Sequence, residues 1–391
     1  MAEAISNSGD MGELPEIPEA KTLPDPPTDC ISKLSFLSSS SSSSSSSILA
    51  SSSWDGGLKL HDCSATAMEC KLSHTAGIGP LLSLAAVDEE YIFVGGLNGS
   101  ILRINVANGG VVVEKVGDHP PPPKLTTTSQ SLTASACSCL VALPSSPPLV
   151  ASAGWHGQFH LWDLRQSTTS SGPAVSMDLP GKAFTMDTHE SRVVIGCSGR
   201  RTCLLDIRRC GASALSSADS VSWTADSVLE AESSQKHQTR CMRFFPDGQS
   251  VAVGSVEGRV SVESVVATTG GGGGGTDNNN NTMKKMYAFK CHREGDLVYP
   301  VNCIDFHAKF GTFATGGCDG SVVVWDGENR KRLSSFKVPT SVAAMCFNHD
   351  GSQLAVASSY TFEDGEREHP RDEIYVRTML DSECAPKRLT Q

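Results

Sequence analysis

The sequence has no C-x-x-C pair, no apolar run approaching the ~18 residues of a membrane span, and no cationic surplus. Its 32 Lys and Arg face 43 Asp and Glu, a net charge of -11 over 391 residues. That balance excludes a protein that coats nucleic acid or anionic membrane by bulk charge, because both modes need clustered Lys and Arg. No direct nucleic-acid or membrane partner is therefore expected, although a local basic patch remains compatible with the total. The cysteines lie scattered within apolar segments, which reads as thiols in a reducing compartment. Cys137 and Cys139 form the one close pair, and without paired ligand spacing no metal is expected. Catalytic signatures are missing too: there is no G-x-S-x-G elbow, no H-E-x-x-H and no P-loop. Gly196-Cys197-Ser198-Gly199 lacks the strand-to-helix setting of a nucleophile elbow. The expectation is a non-enzymatic protein with no cofactor. Residues Met1 to Ala20 carry acids and prolines where a secretory signal would place basic and then apolar residues, so the protein is expected in the nucleus or cytosol.

Sustained helical periodicity is also absent. Residues 1–28 are acidic and Pro-rich and are expected to be a disordered tail. Low-complexity or weakly patterned segments at 38–47, 120–130, 211–234 and 268–282 read as loop insertions, and 381–391 as a C-terminal tail. Such insertions are tolerated because loop-closure entropy grows only logarithmically with length.

One pattern recurs between these segments: a β-branched apolar run, a small-residue doublet, a polar residue and Gly, then a second apolar run ending near Asp. It is seen at Ile48 to Asp62, Tyr91 to Ile104, Leu149 to Asp163, Val193 to Asp206, Val251 to Val262 and Phe313 to Asp326. A degenerate seventh copy begins at Leu354 and resumes at Ile374. Each copy is a hairpin, because Asn98-Gly99 and Asp319-Gly320 supply the positive φ that tight turns between strand formers demand. Runs such as Val322-Val323-Val324-Trp325 are apolar on both alternations, so those strands are covered on both faces. A closed ring of four-stranded sheets repeating every ~40 to 45 residues meets that requirement, and the spacings Gly56 to Gly99 and Gly157 to Gly199 fit it. The predicted fold is all-β, a single seven-bladed β-propeller over 29–380. Trp162-Asp163 and Trp325-Asp326 close third strands and resemble the dipeptides of the WD40 propellers, a likeness that is specific for fold and nearly silent on function.

Cations concentrate in one stretch of this acidic chain: Arg240, Arg243, Arg259, Lys284, Lys285, Lys290 and Arg293. The residues alone leave two readings open, a solvated charged face and a basic pocket for an acidic or phosphorylated peptide, whose phosphate Arg matches bidentately. Here the sequence becomes more specific. Lys236-His237-Gln238-Thr239-Arg240, Glu257-Gly258-Arg259-Val260, Tyr287 to Arg293 and Tyr299-Pro300-Val301-Asn302 resemble the spindle-checkpoint family of WD40 propellers. So do Ser53-Trp54-Asp55, Phe184 to Asp187, Thr312 to Gly317, Asn329 to Leu333, Ala357 to Tyr360 and Glu368-His369-Pro370.

That resemblance implies a kinetochore adaptor found in the nucleus and at kinetochores, with a cytoplasmic pool. Its top face would hold a helical GLEBS segment of checkpoint kinases, and an adjacent groove would read phosphothreonine in the MELT repeats of the kinetochore scaffold. Carried over by position, Arg259 and Lys290 form the phosphate-binding pair and Arg240 lies beside them for the GLEBS segment. Trp155 and Trp54 would contact bound peptides, with packing between blades as the open alternative. One departure is Trp155-His156-Gly157, where the family has Asp after Trp. The sister family of nuclear-pore RNA-export propellers, which also bind a GLEBS segment, is the alternative functional reading. A substrate receptor for ubiquitin ligase components is the third.

Overall fold

The computed structural model describes residues 20–38, 47–64, 67–88, 90–106, 110–120, 135–144, 149–164, 172–209, 228–265 and 283–386. Seven four-stranded antiparallel sheets follow one another around a ring, as the repeat arithmetic predicted. The blades run from Ile31–Phe36 to Glu69–Thr75, from Leu81–Ala86 to Val112–Asp118, from Cys139–Leu143 to Val175–Asp178, from Ala183–His189 to Val228–Glu232, from Thr239–Phe244 to Lys284–Lys290, from Val301–Phe306 to Lys331–Lys337, and from Val342–Phe347 to Glu373–Thr378. Each blade starts on the innermost strand and works outward. The apolar runs that looked two-faced are so: Val322 and Val323, Val251 and Ala252, and Ile92 and Phe93 point to opposite faces of their strands and are all buried.

The seventh blade lacks a fourth strand of its own. Ala20–Thr22 supplies it, pairing Ala20 with Arg377, Lys21 with Val376 and Thr22 with Tyr375. The expectation of a disordered tail through residue 28 is corrected at this point: the ring begins at Ala20 because the last strand presents an open edge that only a returning segment can satisfy. The connection from Leu23 to Thr28 is tied down as well. Lys59 Nζ donates to the carbonyls of Asp25 and Pro26 and pairs with the Asp25 carboxylate at 2.9 Å, while His61 Nε2 lies 2.9 Å from the Pro24 carbonyl.

Two other boundaries shift. The expected insertion at 211–234 contains the outer strand Val228–Glu232, which pairs with Arg201–Asp206; its Val-Leu-Glu-Ala-Glu sequence has weak strand character and is held by the neighbouring ladder. The expected tail from 381 begins with one helical turn, Asp381–Cys384, whose Cys384 is fully buried and whose Glu383 pairs with Arg377 at 2.7 Å. The insertions expected at 120–130 and 268–282, and most of 38–47, lie outside the described residues apart from Pro120, Ser38 and Ser47.

Blades are also tied across their inner strands by charge. Arg243 reaches both Asp187 of the fourth blade, at 2.8 Å, and Asp305 of the sixth. The second oxygen of each carboxylate accepts a backbone N–H of the following blade, Phe244 for Asp187 and Phe347 for Asp305, each at 2.7 Å. One charged network, with buried carboxylates and a guanidinium open to the channel, therefore spans four blades.

Candidate functional site

In an antiparallel blade the starts of the first and third strands and the ends of the second and fourth all fall at one end. By that rule the five residues singled out from sequence share one face of the ring. Trp54 lies in the turn between Ile48–Ser53 and Gly57–Asp62, and Trp155 in the corresponding turn of the third blade. Arg259 opens the third strand of the fifth blade, Lys290 closes its fourth and Arg240 is the second residue of its first.

Within the fifth blade three of these residues draw together. Arg259 and Lys290 are direct cross-strand partners. The turn that leads into Arg259 requires Gly258, which has φ +59° and sits where a Cβ would come within 2.7 Å of the Cys291 carbonyl and 2.9 Å of the Tyr299 carbonyl. Two like charges opposite each other cost stability unless an anion intervenes. Glu257 is the nearest carboxylate, 3.7 Å from Arg259 Nε and 3.5 Å from His237 Nε2. That contact is too long for a hydrogen bond, and Arg259 Nε is buried without an acceptor. Lys290 is exposed and, among the described residues, has no carboxylate within 4.0 Å.

Arg240 reaches this face by a different device. In the fifth blade Thr239 pairs with Ser255 and Cys241 with Gly254, so Arg240 is bulged out of the ladder. The same break recurs in six of the seven inner strands, skipping Ser32, Leu82, Phe184, Arg240, Asn302 and Ala343. A bulge frees one residue from pairing and re-aims its side chain. Here it turns each of them toward the central channel, a cavity of about 440 Å³. Arg240 Nε donates to Asn302 Oδ1 at 3.2 Å across the mouth, joining two bulged residues of adjacent blades.

The face also carries exposed apolar side chains. Trp54 is 38% exposed, and Phe184, Val256, Leu297, Val298 and Phe362 stand exposed at the same end of the strands. Leu297 and Val298 belong to a small hairpin with Arg293–Glu294 between the fifth and sixth blades. Trp155 is half-buried. The remaining cations of the sequence cluster separate: Lys284 and Lys285 sit at the opposite end of their strand, Arg243 is consumed by the two aspartates, and Arg293 donates to the Glu257 carbonyl at 2.9 Å.

Polar chains fasten the turns of this face to their blades. In the sixth blade Trp325 Nε1 donates to Thr315 Oγ1 at 2.9 Å, Thr315 bonds His292 Nε2 at 2.9 Å, and His292 Nδ1 meets Asp319 at 2.8 Å. The third blade has the same chain through Trp162, Ser152 and His119, ending on His156 in place of an aspartate. The departure noted in the sequence therefore keeps its hydrogen bond.

A family model described as "WD domain, G-beta repeat" matches residues 283–326. That span takes the last strand of the fifth blade and three strands of the sixth, so it includes Lys290 and the His292 to Trp325 chain. The chain is 35% identical over 362 residues to the mitotic checkpoint protein bub3 of Dictyostelium discoideum, covering 91% of this chain and 93% of the relative. The chain belongs to the Bub3 family. It is also 35% identical over 375 residues to the mitotic checkpoint protein BUB3.1 of Arabidopsis thaliana, covering 94% and 95%. The poly(A)+ RNA export protein of Schizosaccharomyces pombe is more distant, at 28% over 346 residues, 87% of this chain and 84% of the relative. Within a Bub3 framework, sequence reasoning finds the cations and tryptophans of this face but gives Glu257 no role and misses the channel-mouth bulges and the Leu297-Val298 hairpin. The apolar pair beside Asp296 in an otherwise polar loop was the available signal.

Proposed function

We propose that this Bub3 family member is a non-catalytic adaptor of the mitotic checkpoint, working at kinetochores, and that the face bearing Trp54, Arg240, Arg259 and Lys290 is its recognition surface. The exposed apolar residues and Arg240 would hold a GLEBS segment of checkpoint kinases. Arg259 and Lys290 would read phosphothreonine of MELT repeats in the kinetochore scaffold. The observation that carries this reading is the Arg259–Lys290 pair, two opposed cations with a buried Nε–H lacking an acceptor, in a protein of net charge -11. A phosphate brings nearly two negative charges and accepts from both donors, repaying the repulsion that the empty pair bears.

Calorimetric titration of the full chain with a MELT peptide, in the presence of a GLEBS peptide, tests it. The phosphorylated form is expected to bind at least ten-fold tighter than the unphosphorylated form, and Arg259→Glu should abolish that preference. Equal affinity for both forms would overturn the phosphate reading. Selective binding of a pore-derived over a kinase-derived GLEBS peptide would move the chain to the RNA-export reading.

A further inference from the structure

Around the hydrogen-bonded chain that ends on its tryptophan, the third blade has histidine at two positions where the sixth has other residues. His156 stands where the sixth blade has Asp319, and His160, on the strand Gln158–Asp163, stands where it has Val323. The other members of the chain correspond: His119 matches His292, Ser152 matches Thr315, Trp162 matches Trp325, and the cross-strand partner is a serine in both, Ser176 for His160 and Ser335 for Val323. The substitutions gather three imidazoles whose nitrogens lie within 4.8 Å of one another. His119 and His160 are buried, at 2% and 4% exposure, and His156 is half-buried at the surface end.

The hydrogen bonds assign the nitrogens. Trp162 Nε1–H donates to Ser152 Oγ at 2.8 Å, which leaves the Ser152 hydroxyl proton free to donate to His119 Nε2, also at 2.8 Å. His119 Nδ1–H then donates to His156 Nε2 at 2.8 Å. His160 Nδ1 bonds Ser176 Oγ at 2.8 Å, which leaves His160 Nε2 buried with no partner. His156 Nδ1 is also buried and unpartnered. A single hydrogen bond to an aspartate, as in the sixth blade, would satisfy the turn without leaving an orphaned nitrogen.

From this cluster we infer a divalent transition-metal site of the zinc type, held by His119 Nδ1, His156 Nε2 and His160 Nε2. Three imidazoles without thiolate or carboxylate suit Zn²⁺, with water or an incoming side chain in the fourth position on the His156 side. Zn–N bonds of ~2.0 to 2.1 Å in a tetrahedron set the nitrogens about 3.3 Å apart, so the His119–His156 pair opens by about half an ångström. No proton leaves the protein. The His119 hydrogen moves to Nε2 and donates to Ser152 Oγ, while His160 Nδ1–H keeps Ser176, so two of the three ligands retain an outer partner. Metal bound here would lock the turn that carries Trp155.

Titrating the metal-free full chain with Zn²⁺ by calorimetry, and with Co²⁺ by visible absorption, tests the site. One equivalent is expected to bind with micromolar or tighter Kd, to give the intense bands of tetrahedral Co²⁺, and to raise Tm. His160→Val copies the sixth blade and leaves the Trp162–Ser152–His119 chain untouched, so the variant should fold and bind Zn²⁺ at least ten-fold more weakly. His156→Asn, whose amide oxygen still accepts from His119, is the second variant and should lose the Co²⁺ bands. Equal Zn²⁺ affinity in wild type and both variants, or no binding by wild type, would overturn the site.

Discussion

Arg259 and Lys290 are registered opposite each other on adjacent strands of the fifth blade, two cations in one cross-strand pair, with Glu257 standing 3.7 Å from the first of them. Opposed like charges weaken a ladder by a few tenths to ~1 kcal/mol, so Glu257 contributes partial neutralisation until an anion arrives. An arriving phosphate must then compete with it.

The variant Glu257→Gln isolates that competition. Removing the carboxylate should tighten phosphopeptide binding several-fold while lowering Tm slightly, as the cation pair loses its counter-charge. Affinity by calorimetry and Tm by scanning fluorimetry would check both directions. A fall in affinity would mean that Glu257 orients Arg259 for binding, and the competition account would be wrong.

A second expectation concerns the network at the inner strands. Asp305 accepts from Arg243 with one oxygen and from the Phe347 backbone N–H with the other, and its side chain is 7% exposed. Asp305→Ala leaves the Phe347 N–H buried without an acceptor and takes one of the two carboxylates from Arg243, which keeps Asp187, so the expected cost is ~1 to 3 kcal/mol. Denaturant unfolding should show that loss in the midpoint. A change below ~1 kcal/mol would mean that the channel solvates Arg243 well enough to replace the aspartate.

Acid should loosen the N-terminal strap. His61 is fully buried with Nε2 on the Pro24 carbonyl, and burial, aided by the nearby Lys59, holds its imidazole below the ordinary 6.5 despite the opposing pull of that carbonyl and of Asp25. The unfolded chain therefore binds the extra proton between the depressed folded value and 6.5. Stability rises with pH through that window and is lost as pH falls below 6.5, with a slope of at most ~1.4 kcal/mol per pH unit from this one group. Proteolysis at the Leu23 to Thr28 connection should accelerate from pH 7 to pH 5 in wild type and less so in His61→Gln, which keeps a donor for Pro24 without titrating. Identical pH profiles would refute the assignment.

How much of this was legible in the sequence follows from the range of each determinant. The hairpins announce themselves because Asn98-Gly99 or Asp319-Gly320 and the flanking apolar runs are contiguous. The closing strand does not, since Ala20-Lys21-Thr22 has no alternation and acquires strand geometry only from a partner at the far end of the chain. The cationic stretch looked like one cluster because sequence distance hides direction. Lys284 and Lys290 are six residues apart, yet a strand rising ~3.3 Å per residue sets them ~20 Å apart on opposite ends of the blade. The bulge at Arg240 was invisible for a related reason, because it exists only as a register difference against Ser255 and Gly254. His156 was seen as a departure, but His160 gained meaning only once strand pairing brought it beside His119.

Closure of the seventh sheet by Ala20–Thr22 also imposes a schedule on biosynthesis. About 350 residues separate that segment from its partner Glu373–Thr378, so at ~5 to 20 residues per second the ribosome needs roughly 20 to 70 s to supply the other half of the joint. Throughout that interval the earlier blades can stack but the circle stays open, with one terminal segment waiting for the other. Closure of the ring is therefore the last step, and nascent chains stalled before residue 373 would accumulate as arcs rather than as smaller rings.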